Sequence, residues 1–428
     1  MAEKRNPIWV GEAVDKVMKH SKRGKKETIS LDDCDGRYLA EPLYADHDVP
    51  PFNRSPYDGF ALRAEDTEDV SRDKPATFEV VDEIAAGQVS KKLLGNRQAI
   101  RIMTGAQIPE GADCVIMLEL VKESELEGRS AITVQRTLQP GDNISFKGED
   151  TQKGNLLIER GVSINPGIKA LLATFGYSRV PAAKKPVVGI IATGSELLRP
   201  EDDLVPGKIR NSNGYMIESQ AIRAGAEYKR YGAYADKIED LLETVKMAIQ
   251  ECDIIITTGG VSVGDYDFLP EIYRLLGARL LFNKIAMRPG SVTSCAELGG
   301  TMLFGLSGNP SACYVGFELF VRPYIRYWLH SDKPYLQHVT GTLMRDFPKP
   351  NPFSRFVRAK IHYKDGKLMA SPVGLDKSGV VTSLAWADSL IVLPGGTRGY
   401  SAGDKVDILL LEDQQGSDTP WQEQKYSK

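Results

Sequence analysis

The tightest constraint on the fold is the stretch 253–267, Asp-Ile-Ile-Ile-Thr-Thr-Gly-Gly-Val-Ser-Val-Gly-Asp-Tyr-Asp. Its apolar half is continuous and β-branched, which suits a strand covered on both faces, as in a parallel sheet. The strand must stop at Thr257-Thr258-Gly259-Gly260, where small side chains let a ligand approach the backbone. Ser262, Gly264, Asp265 and Asp267 follow. In open α/β sheets ligands sit beyond the carboxyl ends of strands, so a glycine turn followed by acids points to a phosphorylated ligand and a metal. A tight βα turn with solvated acids is the competing reading.

The flanking chain repeats the pattern. Val187-Val188-Gly189-Ile190-Ile191-Ala192-Thr193 is a second buried strand, ending on Gly194-Ser195-Glu196. Asn211-Ser212-Asn213-Gly214 offers N-cap residues for a helix over Tyr215 to Ala224, closed by Gly225. A strand over 226–234 leads to Asp236 and an amphipathic helix from Lys237 to Gln250. A helix over 268–276 and a last strand, 302–306, come next. Ser307-Gly308-Asn309-Pro310 then turns into a long apolar helix, with Pro310 at a first helical position. Strands alternating with helices at this spacing predict a doubly wound α/β domain over 184–330.

Other regions have a different texture. Residues 8–20 read as a short amphipathic helix, and short strands between 77 and 146 are separated by hairpin-length links. This predicts a β-rich subdomain over 51–146 inserted into an N-terminal domain made of 1–50 and 147–183. The loop before it, with Pro50, Pro51 and Pro56, is rigid enough to fix Asp58, although Asp58-Gly59 could equally be a plain turn. Short strands resume after Tyr335, predicting a C-terminal all-β, barrel-like domain over 335–411 and a polar, disordered tail over 412–428.

Composition narrows the functional classes. A net charge of −3 argues against a general nucleic-acid surface. The five cysteines include no Cys-x-x-Cys pair, which fits a reducing compartment and gives no zinc signature. The start of the chain lacks the apolar core of a signal peptide and no apolar run is long enough to span a bilayer, so a cytoplasmic protein is expected. The Gly-x4-Gly-Lys-Ser/Thr phosphate loop is absent, and the five histidines sit away from the glycine turns. What remains is an anion site: amides around Ser307, Gly308 and Asn309, the cations Lys284 and Arg288, and carboxylates at strand ends. Carboxylates beside phosphates call for a divalent cation, with Mg²⁺ the best match to oxygen ligands. By itself, Lys284 with Arg288 could also be a solvated basic pair.

Seven motifs in fixed order carry a resemblance. They are Ser55-Pro56-Tyr57-Asp58-Gly59-Phe60-Ala61, Arg101-Ile102-Met103-Thr104-Gly105, Gly148-Glu149-Asp150, Thr193-Gly194-Ser195-Glu196-Leu197, the 257–267 stretch, Lys284-Ile285-Ala286-Met287-Arg288-Pro289-Gly290 and Gly308-Asn309-Pro310. Together they resemble the MoeA/gephyrin E-domain family, the molybdopterin molybdenumtransferases, from about residue 8 to about residue 410. The resemblance implies insertion of molybdate into adenylylated molybdopterin with release of AMP, in an elongated four-domain subunit that forms a Mg²⁺-dependent homodimer. Contact with the molybdopterin adenylyltransferase and with molybdoenzymes is a further implication.

Matched motif by motif, the resemblance gives catalytic roles to Asp58, Thr104, Asp150, Glu196, Asp236 and Asp267, with Glu196, Asp236 and Asp267 as the Mg²⁺ ligands. It gives substrate or anion contacts to Gly259, Gly260, Ser262, Lys284, Arg288, Ser307, Gly308, Asn309, Pro310, Arg358 and Ser378. It places the cleft between the α/β domain of one copy and the N-terminal half of the other. Ser307, where relatives often carry Pro, and Ser291, where they often carry Lys or Arg, depart from the pattern. Two alternatives stand beside this reading. A molybdopterin adenylyltransferase would need only the α/β unit. A pterin-binding scaffold, as in vertebrate gephyrin, would need a long linker to a second domain that this chain does not show.

Overall fold

A computed structural model gives the architecture over residues 6–234, 238–259, 268–349 and 352–421. The chain divides into two compact units, one of residues 1–41, 160–173 and 177–428, the other of 42–159 and 174–176.

The first unit holds the α/β sheet. Its strands are β1 (Val187–Thr193), β2 (Glu227–Tyr234), β3 (Ile254–Thr258), β4 (Arg279–Phe282), β5 (Ser294–Leu298) and β6 (Thr301–Leu306), in the order β2-β1-β3-β6-β5-β4. The pairs β1–β2, β1–β3 and β3–β6 are parallel, while β5 and β4 are antiparallel additions at one edge. The sequence reading missed both antiparallel strands, because 279–282 and 294–298 are short and lie between turns. The helices are α1 (Asn213–Ala224), α2 (Ile238–Glu251), α3 (Leu269–Leu276) and α4 (Pro310–Gly316), the last continuing through a π-turn, Phe317–Val321, into α5 (Arg322–Trp328).

The apolar run of β3 is buried on both faces, as its composition requires. Ile254 and Ile256 pack with Ile190 and Phe304 against the α1, α4 and α5 side. Ile255 packs with Ile191 and Leu303 against Leu241 and Val245 of α2 and Ile272 of α3. Helix α1 begins two residues earlier than its apolar pattern suggests. The Ser212 side chain makes no cap, and the Asn211 Oδ1 accepts from the Gly214 N–H at 3.0 Å instead. The helix ends on Gly225 in the left-handed conformation (φ 100°).

The C-terminal strands His338–Leu343, Ser354–Lys364, Lys367–Pro372, Ser389–Leu393 and Lys405–Leu410 curl into a barrel, closed by pairing of 354–364 with 389–393. Val357, Ala359, Ala370, Ile391, Leu393 and Ile408 fill it. The two-residue strand Met287–Arg288 joins its edge beside Ser354 and Arg355.

Residues 412–421 are packed, contrary to the expectation of a disordered tail. Trp421 is buried against Phe356 and donates to the Asp407 carboxylate at 3.0 Å. The tail is also tied to the helices. Glu318, wholly buried, accepts from Gln220 (2.7 Å), Arg223 (2.5 Å) and Arg322 (3.1 Å). Arg322 reaches on to the Leu411 and Asp413 carbonyls at 2.8 and 2.6 Å. A polar sequence gave no sign of these anchors, because the partners are backbone carbonyls.

The second unit is built on six strands, in the order Cys114–Met117, Gly59–Leu62, Gln98–Ile102, Ala76–Ile84, Arg129–Val134, Val121–Leu126. Both faces are covered: Phe60, Leu62, Phe78, Ile116 and Ile132 lie on one, Ala61, Ile84, Ile100, Ile102 and Val115 on the other. All five cysteines are free and buried.

Candidate functional site

The connections out of β1 fix where a ligand can sit. The chain passes from β1 to β2 on one side, then returns through α2 to β3 on the other. The carboxyl ends of β1 and β3 therefore form a topological switch point, where a crevice opens in sheets of this kind. Thr193-Gly194 leaves β1 there, and Thr258-Gly259 leaves β3. The two ends lie in contact: at Gly259 (φ 90°) a Cβ would fall 2.1 Å from the Thr193 carbonyl oxygen. The turn after β6 completes the corner. Asn213, at the start of α1 and buried, donates to Thr258 Oγ1 (2.9 Å) and the Gly308 carbonyl (3.0 Å), and Thr258 Oγ1 donates to the Ser307 carbonyl (3.2 Å).

A cavity of about 620 Å³ opens over this corner. Its wall includes Glu196, Gly259, Arg288, Ser307, Gly308 and Asn309 from the α/β domain and Arg355, Asp376, Lys377 and Ser378 from the barrel. A second lobe of about 350 Å³ shares Glu196, Gly259, Gly308 and Asn309 and adds Thr193, Asn213 and Pro310. Three cations (Arg288, Arg355, Lys377) thus face two carboxylates (Glu196, Asp376) among the described lining residues. The Glu196 carboxylate folds back over Gly194, where a Cβ would meet it at 2.5 Å. The Cys313 thiol beneath the floor is no nucleophile, since burial pushes its pKa up to about 12.

Two residues given anion contacts stand elsewhere. Lys284 is half-buried outside the wall, with its carbonyl accepting from the Ile8 N–H at 3.1 Å. Ile285 bridges to Ile8, the Met287 N–H donates back to the Ile285 carbonyl at 2.9 Å, and Met287–Arg288 then pairs with the barrel strand, which carries Arg288 to the wall. Arg358 is 1% exposed and stands behind the wall. It donates to Ser383 Oγ (2.7 Å) and the Leu375 carbonyl (2.8 Å), so it props up the 375–378 loop. The amides are also partly engaged: the Asn309 N–H donates to Ser307 Oγ at 3.2 Å and the Ser311 N–H to the Ser378 carbonyl at 2.9 Å. Gly260, Ser262, Asp236 and Asp267, together with Asp265, lie outside the described residues.

Arg355, Asp376, Lys377 and Asn213 have places at the cavity that the sequence reading did not assign. Asn213 was legible only as a capping residue, and nothing in a charged β-strand position marks Arg355 as lining a cavity.

The second unit carries an acid–hydroxyl pair of its own. Asp58 precedes the strand Gly59–Leu62, and its Oδ1 accepts from both the N–H (2.7 Å) and the hydroxyl (2.8 Å) of Thr104. These bonds, the N–H first, hold the Asp58 carboxyl below the usual carboxylate range, and Arg101 adds to the effect. Both residues are exposed. Asp150 is exposed in the 147–150 turn, where its N–H donates to the Val49 carbonyl at 3.0 Å.

Comparison with known proteins agrees with this geometry. Three family models match in succession: the MoeA N-terminal region (domains I and II) over residues 8–176, a probable molybdopterin binding domain over 189–327, and the MoeA C-terminal region (domain IV) over 340–411. The molybdopterin molybdenumtransferase of Bacillus subtilis (strain 168) is 58% identical over 421 residues, 98% of each chain. That of Staphylococcus epidermidis is 50% identical over 410 residues, 96% of this chain and 97% of its own. A crystal structure of the molybdopterin biosynthesis moeA protein from Pyrococcus horikoshii OT3 superposes with a TM-score of 0.80 at 32% identity, covering 95% of this chain and all of that one. With the motifs, the switch-point cavity and the full-length relatives in agreement, the chain belongs to the MoeA family.

Proposed function

We propose that this protein is a molybdopterin molybdenumtransferase that inserts molybdate into adenylylated molybdopterin and releases AMP. The observation that carries the reading is the switch-point cavity, with Arg288, Arg355 and Lys377 on one wall and Glu196 on the strand end opposite β3. The Bacillus and Staphylococcus relatives bear this name along essentially their whole length, and neither is named for adenylyl transfer or scaffolding.

The chemistry follows from the charges. Molybdate is a tetrahedral dianion, and guanidinium groups recognise such oxyanions through charge-assisted hydrogen bonds. The dithiolene sulfurs of the pterin receive the metal, so the protein itself needs no cysteine ligand. Its own task is to hold the oxyanion and the pterin in register and to stabilise charge on the departing nucleotide. Mg²⁺ fits the donor set in a limited way. It binds through one or two carboxylates plus substrate phosphates, and Glu196 is a wall carboxylate of that kind, while Asp376 is engaged by Arg355 and Lys349. Among the described residues no group of three His, Cys, Asp or Glu side chains gathers around one point. Mg²⁺ would neutralise charge on the phosphate of the leaving AMP. Asp58 with Thr104 is proposed as a second catalytic group, and the working form as a homodimer in the cytoplasm. No described helix is long and apolar enough to cross a membrane.

The test is AMP release by the purified protein from adenylylated molybdopterin, with and without molybdate. Release only with molybdate supports the reading. ATP consumption with unmodified molybdopterin would replace it with adenylyl transfer. Light scattering that gives the mass of a single chain would remove the homodimer.

A further inference from the structure

The 375–381 loop is held to the cavity by several independent anchors. The Ser311 N–H and hydroxyl donate to the carbonyls of Ser378 (2.9 Å) and Val380 (2.6 Å). Arg358 holds the Leu375 carbonyl from behind. Lys349 donates to the Asp376 carbonyl at 2.9 Å and lies 3.3 Å from its Oδ2, and Arg355 Nη1 meets the same Oδ2 at 2.5 Å. The side chains of Arg355 and Asp376 are each only 10% exposed, yet both line the cavity.

This arrangement does more than brace a loop. One carboxylate stands against two cations, so the cluster keeps a net positive charge beside the cavity. Arg355 comes from the barrel strand Ser354–Lys364 at the point where Arg288 pairs with it in register, so two guanidinium-bearing residues meet at one strand pair on the wall. A guanidinium held by a carboxylate is pre-oriented, and less side-chain entropy is lost when an oxyanion binds. Arg355 and Lys377 are the barrel's cationic residues on the cavity wall, and Arg355 is held in place there by its ion pair with Asp376.

We propose that Arg355 binds a tetrahedral or phosphoryl dianion in this cavity and that Asp376, gripped by Lys349, is the residue that positions it. The inference rests on the functional reading above, in which two such dianions occur: molybdate and the phosphate of AMP.

The experiment uses the full-length chain and measures KM for molybdate, kcat, and inhibition by AMP. Arg355→Gln is expected to weaken binding of at least one dianion about tenfold or more, the size of one charge-assisted hydrogen bond. A change in the molybdate KM alone assigns the oxyanion; a change in AMP inhibition alone assigns the nucleotide phosphate. Arg355→Lys keeps the ion pair and guards against a folding failure; it should lose part of the affinity because the planar fork is gone. Asp376→Asn should weaken the same dianion roughly threefold to tenfold with kcat little changed, and Asp376→Glu should recover much of the loss. A merely structural Asp376 would lower thermal stability and leave the KM alone, which overturns the positioning role. Tighter dianion binding by Asp376→Asn would overturn it too, since the carboxylate would then be a competitor for Arg355. Unchanged constants in Arg355→Gln, with the wild type turning over, overturn the assignment of Arg355 and leave the reaction class standing. If the wild type fails to turn over, the functional reading fails, and direct binding of molybdate or AMP to the same variants still decides on Arg355.

Discussion

Replacing Gly259 by Ala tests whether the contact between the ends of β1 and β3 builds the site. The φ of 90° at Gly259 is a conformation that costs a non-glycine residue about 1–3 kcal/mol. The added methyl would also lie 2.1 Å from the Thr193 carbonyl oxygen, well inside van der Waals contact, and that oxygen belongs to a strand in the middle of the sheet. Relief requires the two strand ends to part by about 1 Å, which brings the total to roughly 3–4 kcal/mol. For a domain of this size that lowers the thermal transition by roughly 6–16 °C. Moving the corner by about 1 Å should also cut turnover by about 100-fold. Gly308→Ala is the internal comparison. Its φ is not positive, and its methyl would meet the Gly259 Cα at an ordinary 3.4 Å, so the melting temperature should move by no more than a few degrees. The assay is a thermal scan with molybdate-dependent AMP release on both variants. A Gly259→Ala protein with wild-type melting and turnover, or a Gly308→Ala protein destabilised equally, would refute the reasoning.

Other outcomes follow from the same structure. Thr104→Val removes the hydroxyl bond to Asp58 but keeps the N–H bond, so the Asp58 pKa should rise part of the way to its usual value. Because the folded pKa is depressed, the pair's stabilisation is present above the unfolded carboxylate pKa and fades as pH falls through the folded one. An NMR titration of Asp58 that is unchanged in the variant would contradict this. Glu318→Ala strands Arg322, 3% exposed, beside two carbonyls, and should cost roughly 3–5 kcal/mol, visible as a lower melting temperature. A loss below about 1 kcal/mol would show the network to be replaceable. Asn213→Ala leaves the Gly308 carbonyl and the Thr258 hydroxyl short of a donor, at about 1–3 kcal/mol. A melting curve identical to wild type would count against that role.

Residues whose meaning is local were the legible ones. The β-branched run 254–256, the glycine at 259 and the Ser307–Pro310 turn declared a parallel strand, its stop and a helix start, and the structure places these features at one corner. Asp58 and Thr104 were found through motifs, and the geometry joins them by two hydrogen bonds. What stayed hidden depends on distant pairing. Arg355 reaches the cavity only because Met287–Arg288 lies in register with Ser354 and Arg355 across more than sixty intervening residues. Lys284 looked paired with Arg288 because the two stand four residues apart on one turn, yet Arg288 lines the cavity and Lys284 does not. The antiparallel strands β4 and β5 and the packed 412–421 segment escaped because their partners, backbone carbonyls together with Phe356 and Asp407, are set by the tertiary fold, which composition does not report.

The most direct measurement is AMP formed per cofactor assembled when this chain meets adenylylated molybdopterin, titrated with molybdate. The account predicts one AMP for each molybdenum inserted, saturating with the oxyanion, and loss of both products in Glu196→Ala and Asp58→Ala proteins that keep their fold. AMP release that ignores molybdate, or full turnover in the Glu196→Ala protein, would contradict it.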